Sequence, residues 1–176
     1  MSRWLVVPAA ESDAGEILTL QRACWVQEAM ANDTLDIPAL HESLDDVLAS
    51  LGCWHTYVVR DAGRLIGSVR GRLVDGEFEI GRLMVAPDRQ GLGLGRLLLE
   101  QIVRTAPPGV PFVLSTGALS LDNQRMYRAA GFEISGPQGD DPGVVRMRGK
   151  AIAGRRAGLK EREGQTTPSA SIASAT

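Results

Sequence analysis

Apolar positions along this chain recur with two periods, which separate helical segments from extended ones. A short apolar run at residues 5–7 predicts a first strand, and Asp13 and Glu16 have the spacing of a capping box at the start of a helix. The apolar stripe of that helix is formed by Ile17, Leu20 and Cys24. A second helix is predicted from Pro38 to a C-cap at Gly52. Its apolar face is formed by Leu40, Leu44, Val47, Leu48 and Leu51.

Extended segments follow at residues 56–60, 65–74 and 77–85, and residues typical of turns separate them. Asp75-Gly76 stands between two of these segments and is a strong hairpin signal, while residues 61–64 form another polar turn. The pattern therefore predicts three consecutive antiparallel strands.

The third of these strands leads into a glycine-rich turn and then into a helix. Pro87 ends the extended run, and Gly91, Gly93 and Gly95 allow the backbone to approach a bulky ligand. The helix carries Leu94, Leu97, Leu98 and Ile102 on one face and ends before Pro107-Pro108. Its first unpaired N–H groups and the positive end of its dipole favour an anion. This order of elements predicts a phosphate or pyrophosphate site.

Spacing excludes two of the common phosphate-binding designs. A dinucleotide fingerprint needs G-x-G-x-x-G, but Arg96 stands three residues after Gly93 and Leu98 stands three residues after Gly95. A nucleoside-triphosphate loop needs a Gly-Lys-Ser/Thr sequence, which does not follow here. A different phosphate-bearing ligand is therefore expected.

The carboxyl-terminal part continues the alternation of strands and helices. A short strand is predicted at residues 112–115, a helix at 122–130 that stops at Gly131, and a final pair of strands at 132–135 and 144–148. From residue 150 onward small residues and scattered charges show no apolar period. We therefore predict one domain at residues 1–149 and a disordered tail at residues 150–176, a size that allows a substantial core.

Composition excludes several function classes. A net charge of −2 gives no general attraction to nucleic acid or to an anionic membrane. No stretch approaches the roughly 20 apolar residues of a membrane span, and the first residues lack the pattern of a signal peptide, so a cytoplasmic location is expected. Cys24 and Cys53 form neither a disulfide framework nor a zinc-site pattern, and no metal is expected.

Three segments resemble the GCN5-related N-acetyltransferases (GNAT). Gln90-Gly91-Leu92-Gly93-Leu94-Gly95 matches that family's Q/R-x-x-G-x-G/A turn, and residues 83–87 resemble the end of its fourth strand. Residues 123–132 resemble its late N-x-x-x-Y-x-x-x-G-F segment. The resemblance implies an α/β fold of the GNAT type, with a mixed, mostly antiparallel sheet of six to seven strands and helices on both faces. It also implies that the strand ending at Val85 splays from the strand at residues 112–115.

In that family the splayed strands hold acetyl-CoA, so the resemblance implies an acetyl-CoA site here. The pantetheine arm is a chain of amides that pairs with strand backbone, and the pyrophosphate lies at the glycine turn. The residues implied in binding are Leu83, Met84, Val85, Gln90, Gly91, Gly93, Leu94, Gly95, Arg96 and Asn123. For Arg96 a solvated helix position, and for Asn123 a helix-capping role, are equally good interpretations.

The implied reaction is acetyl transfer to an amine, which needs a proton acceptor and a proton donor. Tyr127 matches the family tyrosine that acts as general acid at the CoA sulfur, although a purely packing role is the alternative. Glu79 is the candidate general base, because it stands six residues before Val85, where several members of that family carry a glutamate that acts directly or through water. On an ideal strand it also shares a face with Leu83 and Val85, and partial burial on a central strand would raise its pKa. The alternatives are that Glu79 only orients the substrate ammonium, or that it forms an ion pair with Arg82 or Arg70.

The acceptor is expected to be a primary amine of a small molecule or a peptide. An acidic and aromatic pocket would suit a cationic amine, and the residues available for it are Trp25, Gln27, Glu28, Asp33 and Trp54. Two other functions stay open: an acyl-CoA-binding sensor without transferase activity, and an acyltransferase for protein lysines or amino termini. The resemblance also allows a homodimer, but no sequence feature demands one.

Overall fold

The computed structural model describes residues 4–31 and 33–150, so the predicted tail beyond residue 150 lies outside the described residues. The strands are β1 (Val6–Pro8), β2 (His55–Asp61), β3 (Arg64–Val74), β4 (Glu77–Val85), β5 (Phe112–Gly117), β6 (Phe132–Gln138) and β7 (Asp141–Gly149). The helices are α1 (Ala14–Ala31), α2 (Pro38–His41), α3 (Leu44–Cys53), α4 (Leu94–Thr105) and α5 (Leu121–Ala129). Short 3₁₀ turns precede α1 and follow β4.

The seven strands form one mixed sheet in the order β1-β2-β3-β4-β5-β7-β6, which confirms the predicted fold class. All neighbouring strands are antiparallel except β4 and β5, which run parallel. The predicted hairpin between β3 and β4 is present, and the two residues of its turn, Asp75 and Gly76, have positive φ values of 49° and 81°. Two successive positive φ values make the two-residue turn that matches strand twist.

Helices cover both faces of this sheet. A Cβ built on Gly67 would lie 3.0 Å from Leu98 of α4, so the odd-numbered positions of β3 face α4. The even-numbered Ser68 and Arg70 instead line a small cavity together with residues of α1 and α3. The helix α5 lies on the α4 side, where Tyr127 and Phe132 pack edge to face with centroids 6.1 Å apart. We call the other side the α1/α3 face.

Gly71 allows close packing between β3 and α4. A Cβ at Gly71 would lie 2.5 Å from Cε1 of Phe78 and 2.8 Å from Cγ1 of Ile102, both fully buried. We expect Gly71→Ala to lower the free energy of unfolding by about 1–3 kcal/mol through overpacking, measured by denaturant titration. The control is Gly52→Ala in α3, where nothing lies within 4 Å. That change should raise stability by about 0.5–1 kcal/mol through helix propensity, and an unchanged Gly71→Ala variant would contradict the packing argument.

The second predicted helix is in fact two helices, and this prediction was wrong. The chain is extended at Glu42, and Ser43 begins α3 through a capping box in which its hydroxyl accepts from the Asp46 N–H at 3.2 Å. Leu44 and Leu48 are consequently exposed, and Gly52 lies inside α3 instead of capping it. The break places Glu42 beside the sheet.

The start of the chain also differs from the prediction in detail. The first strand begins one residue later than expected, at Val6. Asp13 does not pair with Glu16 in a capping box, because its carboxylate accepts from the Ala10 N–H at 2.8 Å and pairs with Arg60. Asp13 therefore caps the preceding 3₁₀ turn and pairs with Arg60 instead of taking part in the predicted cap with Glu16.

Residues 4–31 and 33–150 contain neither a membrane-spanning helix nor a metal-binding cluster. No helix in these ranges is long and apolar enough to cross a membrane. No group of three or more His, Cys, Asp or Glu side chains lies together there.

Candidate functional site

A gap opens between β4 and β5. The two strands pair only at Phe78, Glu79 and Ile80, opposite Phe112, Val113 and Leu114. Beyond Ile80, β4 continues to Val85 with β3 as its neighbour on one side, and within residues 4–31 and 33–150 no strand pairs with its other side. The backbone of residues 81–85 therefore presents a strand edge to the gap, and an extended chain of amides has the hydrogen-bonding geometry to pair with it. Leu83, Met84 and Val85, expected to bind a ligand through their backbone, lie on this edge.

A β-bulge at Arg82 lies where the gap opens. Arg82 has a φ of +48°, and three residues of β4 from Gly81 to Leu83 oppose two residues of β3. The extra residue inverts the alternation of side chains along β4, as bulges do. Bulges of this kind are frequent next to binding sites, where they direct a side chain or end strand pairing.

The bulge places Glu79 on the opposite face from Leu83 and Val85, so the prediction that they share a face was wrong. Val85 pairs with Gly67, which faces α4, and a Cβ on Gly95 of α4 would lie 3.7 Å from Leu83. Glu79 instead pairs with Arg72, on the α1/α3 face. Groups on the two faces of β4 therefore meet only through the gap.

The glycine turn orients the start of α4 toward solvent. Gly91 and Gly93 have positive φ values of 74° and 83°, and nothing lies within 4 Å of a Cβ built on either. Gly93 is the N-cap of α4, and the first helical bond runs from the Leu97 N–H to the Gly93 carbonyl at 3.1 Å. The N–H groups of the first three helical residues, Leu94 to Arg96, have no partner within the helix and are available to an anion.

Gly95 has a different role from the other two glycines of the turn. Its φ is ordinary, but a Cβ would lie 2.9 Å from the sulfur of Met126 in α5. Gly95 therefore allows α4 and α5 to pack closely.

The polar side chains of the turn are held by other protein groups. Gln90 donates to the Gln27 side chain at 3.2 Å and to the Val85 carbonyl at 3.4 Å. Arg96 is 80% exposed and pairs with Glu100 of its own helix at 3.0 Å. The backbone, more than these side chains, therefore defines the anion site.

Tyr127 and Asn123 lie on α5, on the same side of the sheet as α4. Tyr127 is buried and its ring belongs to the aromatic core. Asn123 is exposed, and the N-cap of α5 is Ser120, so the capping role considered for Asn123 does not occur.

Glu79 forms an ion pair with Arg72, the residue directly across from it on β3. The Nε and Nη2 atoms of Arg72 lie 3.1 and 3.0 Å from Oε2 of Glu79, and the guanidinium stacks on the Trp54 ring at 4.1 Å. The two partners considered from sequence, Arg70 and Arg82, instead bind Glu42. Among the described residues Oε1 of Glu79 has no hydrogen-bond partner, and the side chain is 41% exposed. One carboxylate oxygen is thus held while the other is accessible.

A second polar cluster on the α1/α3 face was not predicted. Glu42 accepts from Arg82, from Arg70 at 3.3 Å and from Nε2 of Gln21 at 2.8 Å. Burial raises the pKa of Glu42, but the hydrogen bonds from Arg82 and Gln21 outweigh it and hold the pKa below its ordinary value. The available sequence signals were Gln21 within an apolar helix face and arginines at alternate positions of β3.

The two tryptophans expected in an acidic and aromatic pocket lie against arginines. The Trp25 ring lies 5.4 Å from the guanidinium carbon of Arg82, and the Trp54 ring lies 4.6 Å from that of Arg70. Asp33 is exposed, and the side chain of Glu28 lies outside the described residues. The two aromatic rings therefore stack on cations of the protein itself.

Residues 53–134 match the model of the acetyltransferase (GNAT) domain. A curated relative, the UPF0157 protein YqkA of Bacillus subtilis (strain 168), is 30% identical over 120 residues. That match covers 68% of this chain and 34% of the relative, so the chain spans about a third of the length of the curated relative it matches.

Solved structures share the fold. The PaiA N-acetyltransferase of Thermoplasma acidophilum, in complex with coenzyme A, has a TM-score of 0.69 and 17% identity, covering 85% of this chain and 99% of that one. The ribosomal-protein-S18-alanine N-acetyltransferase of Escherichia coli has a TM-score of 0.64 and 18% identity, covering 87% and 97%. YncA of Salmonella typhimurium, solved with acetyl-CoA, has a TM-score of 0.64 and 19% identity, covering 97% and 100%. At these identities the likeness establishes the fold.

Proposed function

We propose that this chain, whose residues 53–134 match the acetyltransferase (GNAT) domain, transfers an acetyl group from acetyl-CoA directly to a primary amine. The observation that carries the proposal is the continuity of the gap with the turn. The unpaired edge of β4 leads through Gly91 and Gly93 to the exposed N–H groups at the start of α4. An extended amide chain ending in a pyrophosphate, as in acetyl-CoA, matches this succession of donors and acceptors.

The residues present fit the acetyl donor. The backbone of Leu83, Met84 and Val85 pairs with the pantetheine amides, and an N–H near Leu83 or Met84 polarises the thioester carbonyl. The pyrophosphate is bound at the turn and at the start of α4, with Gln90 supporting the turn and Asn123 near the arm. The donors at the turn are the N–H groups of Gly91, Gly93, Leu94, Gly95 and Arg96. Fixed backbone groups of this kind bind without reorganisation.

Proton transfer in the proposed reaction is assigned to two side chains. The neutral amine nitrogen forms a bond to the thioester carbonyl carbon, and the carbon–sulfur bond breaks. Oε1 of Glu79 accepts the proton that the amine loses, while the Tyr127 hydroxyl donates a proton to the departing sulfur. The products are the N-acetyl amine and free coenzyme A. The accessible oxygen of Glu79 supports its part, because Arg72 leaves that atom unengaged.

Release of free thiol from acetyl-CoA in the presence of a panel of primary amines tests this function. Amine-dependent thiol release, with the acetylated product identified by mass, supports a transferase. Binding of acetyl-CoA without turnover across the panel would favour the sensor instead. A pure sensor needs neither a proton acceptor nor a proton donor, so the presence of both Glu79 and Tyr127 in the chain supports the transferase.

Gly93→Ala is expected to weaken acetyl-CoA binding about tenfold. The N-cap must hold a left-handed conformation to expose the helix N–H groups, and for a non-glycine residue this conformation costs about 1–2 kcal/mol. Equilibrium titration with acetyl-CoA measures the change. The matched control is Gly109→Ala, with a similar φ of 80° and equal free space, in the connection that follows α4. It should lose comparable stability and keep its acetyl-CoA affinity. Equal affinity losses in the two variants would contradict a binding role for the turn.

A further inference from the structure

Three arginines surround the bulge on the α1/α3 face, and among the described side chains two carboxylates, Glu42 and Glu79, pair with them. Arg70 and Arg82 share Glu42, and Arg72 is paired with Glu79. Within the described part of the chain, one positive charge next to the gap therefore has no carboxylate of its own. Farther along the same face Arg146 and Arg148 both bind Glu77, and Glu133 lies opposite Arg148 in the strand register.

The shared pair is also incompletely hydrogen-bonded. Arg70 and Arg82 each use a single nitrogen, Nη2, to reach the same oxygen of Glu42, so neither forms the two-pronged contact that guanidinium and carboxylate groups prefer. The Nε atoms of both arginines are buried without a hydrogen-bond partner. Burial and the charge of Arg82 lower the pKa of Arg70, which is the expected result of like charges held together. A further anion would relieve this arrangement.

A cationic acceptor would find no free partner among the described groups of this cluster. Trp25 and Trp54 already stack on arginines, and both oxygens of Glu42 are engaged. The remaining accessible carboxylate oxygen belongs to Glu79, which is needed for the amine itself. The local electrostatics thus disfavour a second positive charge on the acceptor and favour a negative one.

We propose that the acceptor carries a carboxylate close to its reactive amine, and that the Arg70–Arg82 pair binds this carboxylate. This inference rests on the proposed transferase function and defines its substrate class as amino acids or short peptides with a nearby acidic group. The cavity behind the pair has room for about one water molecule, so the carboxylate binds on the partly exposed side. Arg82 is the bulge residue, which brings the bound amine to the edge of the gap.

Matched acceptors in which the carboxylate is replaced by a neutral amide or by a second amine test this proposal. Alanine is compared with alaninamide, and 4-aminobutyrate with 1,4-diaminobutane, by acetyl-CoA-dependent thiol release and product mass. Rates are expressed per concentration of neutral amine, so that differences in amine ionisation cancel. A hydrogen-bonded charge pair predicts a kcat/KM about tenfold or more higher for the carboxylate member of at least one pair.

Arginine variants test whether Arg70 and Arg82 cause the preference for a carboxylate-bearing acceptor. Arg82→Gln and Arg70→Gln are each expected to reduce the carboxylate-to-neutral ratio about tenfold. The control Arg104→Gln removes the same charge from α4 at a side chain that is 71% exposed, and it should leave the ratio unchanged. Far-UV circular dichroism verifies that each variant is folded.

The possible results of these experiments distinguish this inference from the proposed transferase function on which it rests. Equal or faster acetylation of the amide and the diamine would overturn the inference and leave the transferase function standing. An unchanged ratio in both folded arginine variants would also overturn it. If no amine in the panel causes thiol release from acetyl-CoA, the proposed function is refuted, and this inference with it. Should neither variant fold, the ratios of the unmodified protein alone decide.

Discussion

Replacing Tyr127 by phenylalanine is expected to lower kcat about 100-fold while leaving the affinity for acetyl-CoA nearly unchanged. General acid catalysis contributes about 10²- to 10⁴-fold, and the variant removes only the hydroxyl that would protonate the departing sulfur. The ring stays, so its packing on Phe132 is retained. Steady-state kinetics give kcat, and equilibrium titration gives the affinity.

Tyr57→Phe is the matched control for this prediction. Tyr57 is the other tyrosine of the chain, and its hydroxyl accepts a hydrogen bond from Thr105 at 3.2 Å, away from the gap. This variant should lose a little stability and keep its kcat. If Tyr127→Phe turned over as fast as Tyr57→Phe, Tyr127 would have a packing role only.

Replacing Glu79 by glutamine is expected to reduce kcat/KM for the acceptor about 100-fold at neutral pH. Glutamine keeps the size of the side chain and an oxygen that accepts from Arg72, but it does not accept the proton of the amine. The loss therefore reports proton transfer and not a change of shape. The rate is measured with saturating acetyl-CoA and varied acceptor.

Glu77→Gln provides the control, because Glu77 lies two residues earlier on the same face of β4 and is also bound by arginines. It removes the same charge and breaks a similar ion pair, outside the gap. Its catalytic rate is expected to stay close to that of the unmodified protein. Retained activity in Glu79→Gln would assign Glu79 to anchoring, whereas equal losses in both variants would indicate a general effect of charge.

Local patterns in the sequence were sufficient for most of the fold. The glycine turn and the helix that follows it are where the sequence predicts them, because Gly91 and Gly93 adopt φ values that other residues avoid and the apolar period of α4 is strong. The hairpin at Asp75-Gly76 and the bounds of β4 also agree with the prediction. The second helix was mispredicted because the leucine period runs through Ser43, whose capping box interrupts it.

The candidate site was predictable only as far as its backbone is concerned. Leu83 to Val85 border the gap, and Gly93 begins α4 a few residues later; the sequence places them in one segment because consecutive residues stay together in any fold. The partners of Glu79 were not predicted correctly, because cross-strand register decides them. Neither a propensity nor a motif indicates that Arg72 and not Arg70 lies opposite Glu79.

The sequence by itself determined the order of strands and helices, the glycine turn and the segment that borders the gap. Each of these depends on interactions between residues close together in the chain. The tertiary structure alone decided the bulge at Arg82, the face on which Glu79 lies, and the grouping of arginines beside the gap. Those features depend on register between strands and on contacts among Gln21, Glu42, Arg70 and Arg82, which are far apart in sequence and meet only when the helices pack on the sheet.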